Sequence, residues 1–223
     1  MKFKDLVNEP RVIGIVGDPN EAKSNLLYHL IEEFKKEGTF KLYVYGLRSE
    51  IKGSTTIYSV EELEQIKDSI IILDEVMTLW DLENKMAKRK IEKSLRLIFH
   101  NNNILIICLL PENVKKFIAG KIHQYFFKKI TIPDLINGSK TKNIIIGYKG
   151  NELGSSILNL GKGESLYYDG LHYEKLKIPY YKKYDSKKDN KPIIKKISKK
   201  VNHLVNQKVQ KNSSQKEIGE VKI

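Results

Sequence analysis

Short, wholly apolar runs alternate along the chain with longer segments whose apolar residues recur every three to four positions. The apolar runs cover residues 11–17, 69–73 and 104–110, and continuous runs of this kind are typical of strands buried on both faces of a sheet. Residues 22–36 and 83–99 place apolar side chains opposite charged ones, which predicts amphipathic helices. The alternation predicts an α/β fold: a mainly parallel sheet with helices on both faces.

Weaker signals predict the remaining elements. Residues 41–46 form a further strand candidate, and Ser59 with Glu62 has the spacing of a capping box that opens a helix over residues 60–67. A short helix is predicted near residues 112–119. Between residues 124 and 169 glycines separate short β candidates, which we interpret as a β-rich completion of the sheet edge; these candidates are residues 125–132, 142–148 and 165–169.

The composition suits one globular domain, since 40% of the 223 residues are hydrophobic. A single cysteine, Cys108, excludes a disulfide framework and any cysteine-rich zinc site. The sequence starts without the apolar stretch of a signal peptide. Its longest apolar run, residues 104–110, is far shorter than the roughly 20 residues that span a bilayer. We therefore expect a soluble, cytoplasmic protein with no transmembrane segment of its own.

The positive charge is concentrated near the end of the chain. Residues 175–223 contain 15 lysines and four acidic residues, a net charge of +11, whereas the preceding 174 residues carry +2. We expect a folded body over residues 1–184 and a basic, disordered or weakly helical tail over residues 185–223. The charge excess of residues 175–223 favours a non-specific tether for nucleic acid that is not part of the fold. It is also compatible with an acidic protein partner, an anionic lipid surface, or lysines that merely keep a disordered end soluble.

A candidate phosphate loop lies between the first predicted strand and helix. The pattern G-x-x-x-x-G-K-[ST] binds phosphates through backbone N–H groups and a lysine, and its last hydroxyl ligates Mg²⁺. Here the second glycine is replaced by alanine, and two acidic residues stand in a loop meant for an anion. An ordinary strand–turn–helix could also carry this Lys-Ser pair by chance. The predicted ATP-binding residues are Gly17, Asp18, Pro19, Asn20, Glu21, Ala22, Lys23, Ser24 and Asn25.

Two adjacent carboxylates, Asp74 and Glu75, follow the apolar run that ends at Leu73. At the carboxyl end of a parallel strand they would face the crevice where ligands bind. We expect Ser24 and Asp74 to hold Mg²⁺, and Glu75 to orient and deprotonate the attacking water. Alternatively, Asp74 caps the following helix and Glu75 is solvated.

A hydrolase of this kind also needs positive charge at the γ-phosphate, often from a neighbouring subunit. Arg89 and Arg96 stand on the predicted helix after the acidic pair. Arg96 is our candidate catalytic residue beside Lys23 and Glu75, although both arginines could simply be exposed helix charges.

With these motifs, the chain resembles the additional-strand P-loop ATPases, and among them the FtsK/HerA superfamily of DNA-pumping motors. Two further segments carry the resemblance: the helix–turn–strand over residues 91–108, and the ending that runs from Gly161 and Glu164 through a strand to Ile178-Pro179. The likeness covers about residues 10–184. The family's polar Thr-Gln at the end of the fourth strand is replaced here by Cys108 and an apolar stretch, and its Gly-Arg turn by His100 and three asparagines.

The resemblance implies a RecA-like ATPase domain over residues 1–184, with ATP and Mg²⁺ as cofactors. It implies a DNA translocase that acts on double-stranded DNA without reading its sequence. A compact motor of this size looks most like the genome-packaging ATPases of tailless viruses with an internal membrane. It would form a homo-oligomeric ring in the host cytoplasm or on the virion, where a viral portal or membrane protein could dock it. The alternative is a nucleotide-binding but catalytically weak phage assembly protein, related to the zonular-occludens-toxin-like proteins.

Overall fold

The computed structural model describes residues 6, 9–38, 40–47, 49–74, 76, 85–131 and 150–181. Eight strands and five α-helices lie in these ranges. The strands are β1 (Arg11–Val16), β2 (Lys41–Tyr45), β3 (Ser54–Thr56), β4 (Ser69–Leu73), β5 (Ile104–Leu109), β6 (Gln124–Phe127), β7 (Glu164–Tyr168) and β8 (Tyr173–Lys177). The helices are α1 (Lys23–Glu37), α2 (Val60–Leu63), α3 (Lys85–His100), α4 (Lys116–Ala119) and α5 (Gly150–Leu158).

The strands form one sheet in the order β3-β2-β4-β5-β1-β6-β7-β8. The five pairings from β3 to β6 are all parallel. The last two, β6 with β7 and β7 with β8, are antiparallel. Strand β7 runs opposite to β6, and β8 runs opposite to β7, so β8 runs in the same direction as β6. The carboxyl end of β8 therefore lies at the same edge as the carboxyl ends of the parallel strands. The predicted mainly parallel sheet with a β-rich edge is confirmed.

Helices cover both faces of the sheet, as the pattern of apolar residues predicts. On one face, α1 packs Leu27, Ile31 and Phe34 against alternate strand residues such as Ile13 and Ile106. On the other face, α3 and α5 pack against the intervening residues; this cluster includes Ile91, Leu95, Ile98, Leu153, Ile157, Val12, Leu105 and Ile107. Strands with apolar side chains on both sides are therefore buried on both sides.

Several predictions about individual elements were incomplete. Helix α2 is shorter than predicted, and the helix expected near residues 112–119 is a 3₁₀ turn (Pro111–Asn113) followed by α4. Strand β3 and helix α5 were not predicted. Phe99 is 43% exposed and stacks on His123 instead of joining the core. The β candidate at residues 142–148 lies outside the described residues.

The three asparagines before β5 form a turn, and the side chains of Asn101 and Asn103 bind backbone. The amide of Asn103 is buried, accepts from the N–H of Ser69 and donates to the carbonyl of Ile66. Asn101 also donates to the carbonyl of Ile66. These bonds join the loop before β4 to the loop before β5, at the edge opposite the candidate site.

The fold extends beyond Lys175, the residue at which the excess of lysines begins. Lys175 lies in β8, and its ammonium forms a 2.7 Å ion pair with Glu164 of β7. After β8 the chain still packs against the domain, because Ile178 is buried and Tyr181 is half-buried. The prediction that everything from Lys175 onward is separate from the ATPase fold was therefore wrong. Residues 182–223 lie outside the described residues, and the tail stays a prediction there.

Candidate functional site

The loop between β1 and α1 has two residues in the left-handed conformation that glycine adopts most readily. Ala22, which stands where the pattern has its second glycine, has φ 59°, and Asn20 has φ 64°. For an L-residue such as alanine this left-handed conformation costs about 1–2 kcal/mol. The backbone at Ala22 therefore has a conformation that suits the glycine of the pattern, and alanine makes it strained.

Lys23 spans this loop from the start of α1. Its Nζ donates hydrogen bonds to the carbonyls of Gly17 at 2.7 Å and Asp18 at 2.8 Å. Burial lowers the pKa of Lys23 below its ordinary value, and the carboxylates of Asp74 and Asp18 partly oppose that shift. The ammonium therefore lies across the space enclosed by the loop, where it can reach a bound phosphate.

Ser24 and Asp74 meet at this edge of the sheet. The hydroxyl of Ser24 donates a 2.7 Å hydrogen bond to Oδ2 of Asp74, which is 6% exposed at the end of β4. The sequence predicts that these two residues share a metal ion, and the structure brings their oxygens together across two strands. A hydroxyl and a carboxylate oxygen fit the ligand preference of Mg²⁺. Among the described residues there is no group of three or more His, Cys, Asp or Glu side chains that could hold a metal ion.

Cys108 adds a contact that the sequence did not reveal. Strand β5 lies between β1 and β4, so the buried Cys108 near its end is next to Asp74. Burial raises the pKa of the Cys108 thiol well above its ordinary value, and the charge of Asp74 adds to this effect. The thiol therefore stays protonated and donates to Asp74. The buried Cys108 thus contacts the carboxylate that the sequence predicts as a metal ligand.

The acidic residues of the loop have partners outside the phosphate space. Oδ2 of Asp18 accepts a 2.7 Å hydrogen bond from the N–H of Thr131, and the N–H of Asp18 donates to the carbonyl of Lys129. Asp18 thus ties the first half of the loop to the segment after β6. Glu21 is half-buried, and its charge acts on Lys128.

Lys128 is a second lysine at the loop that the sequence did not single out. A Cβ on Gly17 would lie 2.6 Å from Cβ of Lys128, so only glycine fits there. The Lys128 side chain is 1% exposed and its Nζ donates to the carbonyls of Lys162, at 2.9 Å, and Glu164. Burial lowers the pKa of Lys128 to about 8, although Glu21 and Glu164 oppose the shift. Lys128 therefore joins the phosphate loop to the turn before β7.

Asn25, in the first turn of α1, binds the segment that follows β8. Its Nδ2 donates to the carbonyl of Pro179 and its Oδ1 accepts from the N–H of Tyr181, both at 2.9 Å. The sequence predicts Asn25 as a nucleotide-binding residue, and in the structure its amide is engaged by this segment.

The other predicted residues make no contact with the Ser24–Asp74 pair that the structure describes. Pro19 and Asn20 are exposed at the tip of the loop. Arg89 and Arg96 are exposed on α3, and no residue within the described ranges pairs with either guanidinium. Glu75 lies outside the described residues, so its position stays a prediction.

The sheet order, the loop and the Ser24–Asp74 contact together define the fold of a P-loop ATPase. Among solved structures, the chain is similar to the genome packaging NTPase B204 of Sulfolobus turreted icosahedral virus 2 in complex with sulfate. That match has a TM-score of 0.62 at 16% identity, over 78% of this chain and 100% of that one. The same NTPase in complex with ATP-gammaS matches with a TM-score of 0.61 at 16% identity, over 77% and 100%.

A second kind of protein with this fold is the pCW3 conjugation coupling protein TcpA. It matches with a TM-score of 0.58 at 17% identity, over 86% of this chain and 65% of that one. No family model matches the sequence, and neither does any curated protein. At these identities the likeness establishes the fold, and the resemblance to FtsK/HerA-type ATPases is confirmed at that level.

Within the part of the chain that the structure describes, no helix is long and apolar enough to cross a membrane.

Proposed function

We propose that this protein is a Mg²⁺-ATP-dependent motor that moves double-stranded DNA, of the genome-packaging type. The observation that carries the proposal is the hydrogen bond between Ser24 and Asp74 beside a loop that Lys23 spans. This arrangement supports the assignment of Lys23 to phosphate and of the oxygens of Ser24 and Asp74 to a metal ion. The likeness to a genome packaging NTPase and to a conjugation coupling protein supports a role in DNA movement.

Nucleotide binding would replace bonds that the loop now makes internally. The ammonium of Lys23 donates to two loop carbonyls, and a β- or γ-phosphate oxygen is a stronger acceptor than either because it is charged. Ser24 and Asp74 would hold Mg²⁺, which neutralises part of the phosphate charge when it is bound. Cys108 keeps the carboxylate of Asp74 oriented toward Ser24 during this exchange.

We assign hydrolysis to two further residues, Glu75 and Arg96. Glu75 follows Asp74 directly in the chain and would orient and deprotonate the attacking water. Arg96 is exposed on α3, which suits a residue that contacts the γ-phosphate of a neighbouring subunit. The working assembly would then be a homo-oligomeric ring, because each site is completed by the next copy.

DNA contacts would be made to phosphates without sequence readout. Beyond Asp185, residues 186–223 contain 11 lysines and three acidic residues, and we propose that they tether the duplex. The motor would act in the host cytoplasm or on the virion, where a portal or membrane protein could dock it.

The test of the function is steady-state ATP hydrolysis with and without double-stranded DNA. We expect DNA to stimulate turnover, and Glu75→Gln to bind ATP without hydrolysing it. Tight ATP binding without turnover in the wild-type protein would favour the assembly-protein alternative. Wild-type turnover in Glu75→Gln would contradict the catalytic assignment.

The test of the tether is a chain that ends after Asp185, which retains β8 and the segment bound by Asn25. We expect weaker DNA binding and a shallower dependence on salt, because each lost phosphate contact lowers the log–log slope by about 0.9. Basal ATP hydrolysis should stay close to that of the full chain. Unchanged DNA affinity would contradict the tether.

A further inference from the structure

Lys128 is a buried cation beside the phosphate loop whose partners are backbone carbonyls. Its side chain is 1% exposed, and its Nζ donates hydrogen bonds to the carbonyls of Lys162 and Glu164. The carboxylate of Glu164 is engaged elsewhere, since it accepts from the ammonium of Lys175 at 2.7 Å and from the N–H of Gly161 at 2.8 Å. Within the part of the chain that the structure describes, Lys128 therefore forms no ion pair.

Gly17 lies between Lys128 and the lysine that spans the loop. The carbonyl of Gly17 accepts from Nζ of Lys23 at 2.7 Å, and a Cβ on Gly17 would lie 2.6 Å from Cβ of Lys128. Lys23 approaches the loop from α1 and Lys128 approaches it from the end of β6. Lys23 can contact a bound phosphate, whereas the ammonium of Lys128 is held by the carbonyls before and in β7.

The charge of Lys128 already responds to a charge in the loop. Burial lowers the pKa of Lys128 to about 8, and the carboxylates of Glu21 in the loop and Glu164 at the start of β7 oppose that shift. A buried charge is unfavourable unless an opposite charge lies nearby, and charges interact more strongly where water is excluded. A phosphate group bound in the loop should therefore act on Lys128 as Glu21 does.

We propose that Lys128 is a second cation of the phosphate site, which attracts the bound phosphates through the loop without touching them. This inference rests on the proposed function, because it requires a nucleotide in the loop. Bound phosphate favours the ammonium over the neutral amine, so a neutral Lys128 takes a proton from the solvent as the nucleotide binds. Below about pH 8 Lys128 is already charged. Above this pH, binding must also protonate the side chain, so affinity falls as the pH rises.

The test compares the pH dependence of MgATP binding among side chains of different charge at position 128. Dissociation constants are measured by calorimetry between pH 7 and 10 on full-length wild type, Lys128→Met and Lys128→Arg. The ratio of the Kd of Lys128→Met to that of wild type should fall about tenfold over this range, because wild type loses its charge. Lys128→Arg stays charged throughout, so it should bind like wild type at pH 7 and more tightly than wild type at pH 10.

A second readout is proton uptake at pH 8.5, obtained from binding enthalpies in buffers of different ionisation enthalpy. Wild type should take up more protons than either variant. Lys23 is present in all three proteins, so its own titration cancels in these comparisons. A matched control is Lys162→Met, which removes an exposed lysine from the turn before β7. Because water and salt screen an exposed charge, this variant should follow wild type at every pH.

Several outcomes overturn the inference while the proposed function stands. A ratio of Kd values for Lys128→Met that is constant with pH would mean that Lys128 only supports the shape of the loop. Proton uptake by Lys128→Arg equal to that of wild type would place the proton on another group. The same pH-dependent loss in Lys162→Met would assign the effect to the net charge of this surface. If wild type binds no MgATP at any pH, the proposed function itself fails, and the inference fails with it.

Discussion

The two sides of the phosphate loop use polar side chains in opposite ways. On the β4–β5 side, Asp74, Cys108 and Ser24 bring their functional groups together at one point where a ligand can bind. On the β6–β8 side, Asp18 and Lys128 turn their charges onto backbone N–H and carbonyl groups of the protein itself. In the proposed function, the first side acts on a bound nucleotide, and the second holds the loop in the shape that receives it.

The difference follows from how the strands run. Parallel strands end together at one edge, so side chains that follow them converge in a crevice. The antiparallel strands β7 and β8 bring turns to the same edge instead, and these turns expose backbone groups. The buried Lys128 binds two backbone carbonyls at the start of β7, and Asn25 binds backbone groups just after β8.

The largest effect is expected from removing the side chain of Lys23, whose ammonium binds two carbonyls of the loop. Lys23→Ala should weaken ATP binding by at least about 100-fold, because two charge-assisted hydrogen bonds to phosphate are lost. Calorimetric titration with MgATP measures this. Lys35→Ala, at an exposed position near the end of the same helix, should bind ATP like wild type; an equal loss there would point to damage to α1 in general.

On the β6–β8 side, the lowered pKa of Lys128 predicts that the stability of the fold depends on pH. Its folded pKa of about 8 lies below the value of an unfolded lysine, about 10.4. Between these values the unfolded chain binds a proton that the folded chain does not, so the free energy of unfolding rises with pH. The wild-type value should therefore gain about 3 kcal/mol relative to that of Lys128→Met between pH 7 and 10.5.

Urea denaturation at each pH measures this difference. Lys23 has a pKa shifted in the same direction, but it is present in both proteins and cancels. Lys121→Met, at an exposed lysine just before β6, should run parallel to wild type at every pH. A constant difference between wild type and Lys128→Met would show that Lys128 keeps an ordinary pKa.

Substitutions of Asp18 test whether the β6–β8 side affects ligand binding. Asp18→Ala should lower the free energy of unfolding by about 2 kcal/mol, because the N–H of Thr131 loses a charged acceptor. It should also weaken ATP binding several-fold by loosening the first half of the loop. Asp18→Asn keeps a carbonyl acceptor and should recover about half of both losses. Full recovery of stability without recovery of ATP binding would indicate that the charge acts on the ligand itself.

The smallest effect is a gain. Ala22→Gly should raise the free energy of unfolding by about 1 kcal/mol, since glycine adopts φ 59° without the steric cost that alanine has there. ATP binding should be equal or tighter. Asn20→Gly provides the comparison: asparagine tolerates the left-handed region better than alanine, so its gain should be smaller. Loss of ATP binding in Ala22→Gly would mean that the loop has been aligned with the wrong residues.

The sequence predicted the β4–β5 side well because that side has a strong local pattern. An apolar run followed by Asp74, and a strand followed by Lys23 and Ser24, can be recognised without knowing the neighbours of each residue. The exception is Cys108, whose contact with Asp74 depends on β5 lying between β1 and β4.

The β6–β8 side was predicted poorly for physical reasons. Strand β8 has mostly exposed side chains and three charged residues, so it resembles the basic tail that follows it. Helix α5 contains Gly150 and Gly154, which lower helix propensity by about 1 kcal/mol each. In the sequence, Lys128 looks like an ordinary residue at the end of an apolar strand. Its role could not be predicted because its carbonyl partners are 34 and 36 residues away in the chain.

The fit between Gly17 and Lys128 has a consequence for the order of events during synthesis. The phosphate loop is encoded within the first 25 residues, but its first half is held by residues 128–131 and its helix by residues 179–181. A nascent chain therefore lacks the complete loop until nearly all of the described fold has left the ribosome. Nucleotide binding then favours only the finished domain, by mass action. Chains stalled before β8 should gain no protection from ATP against proteolysis.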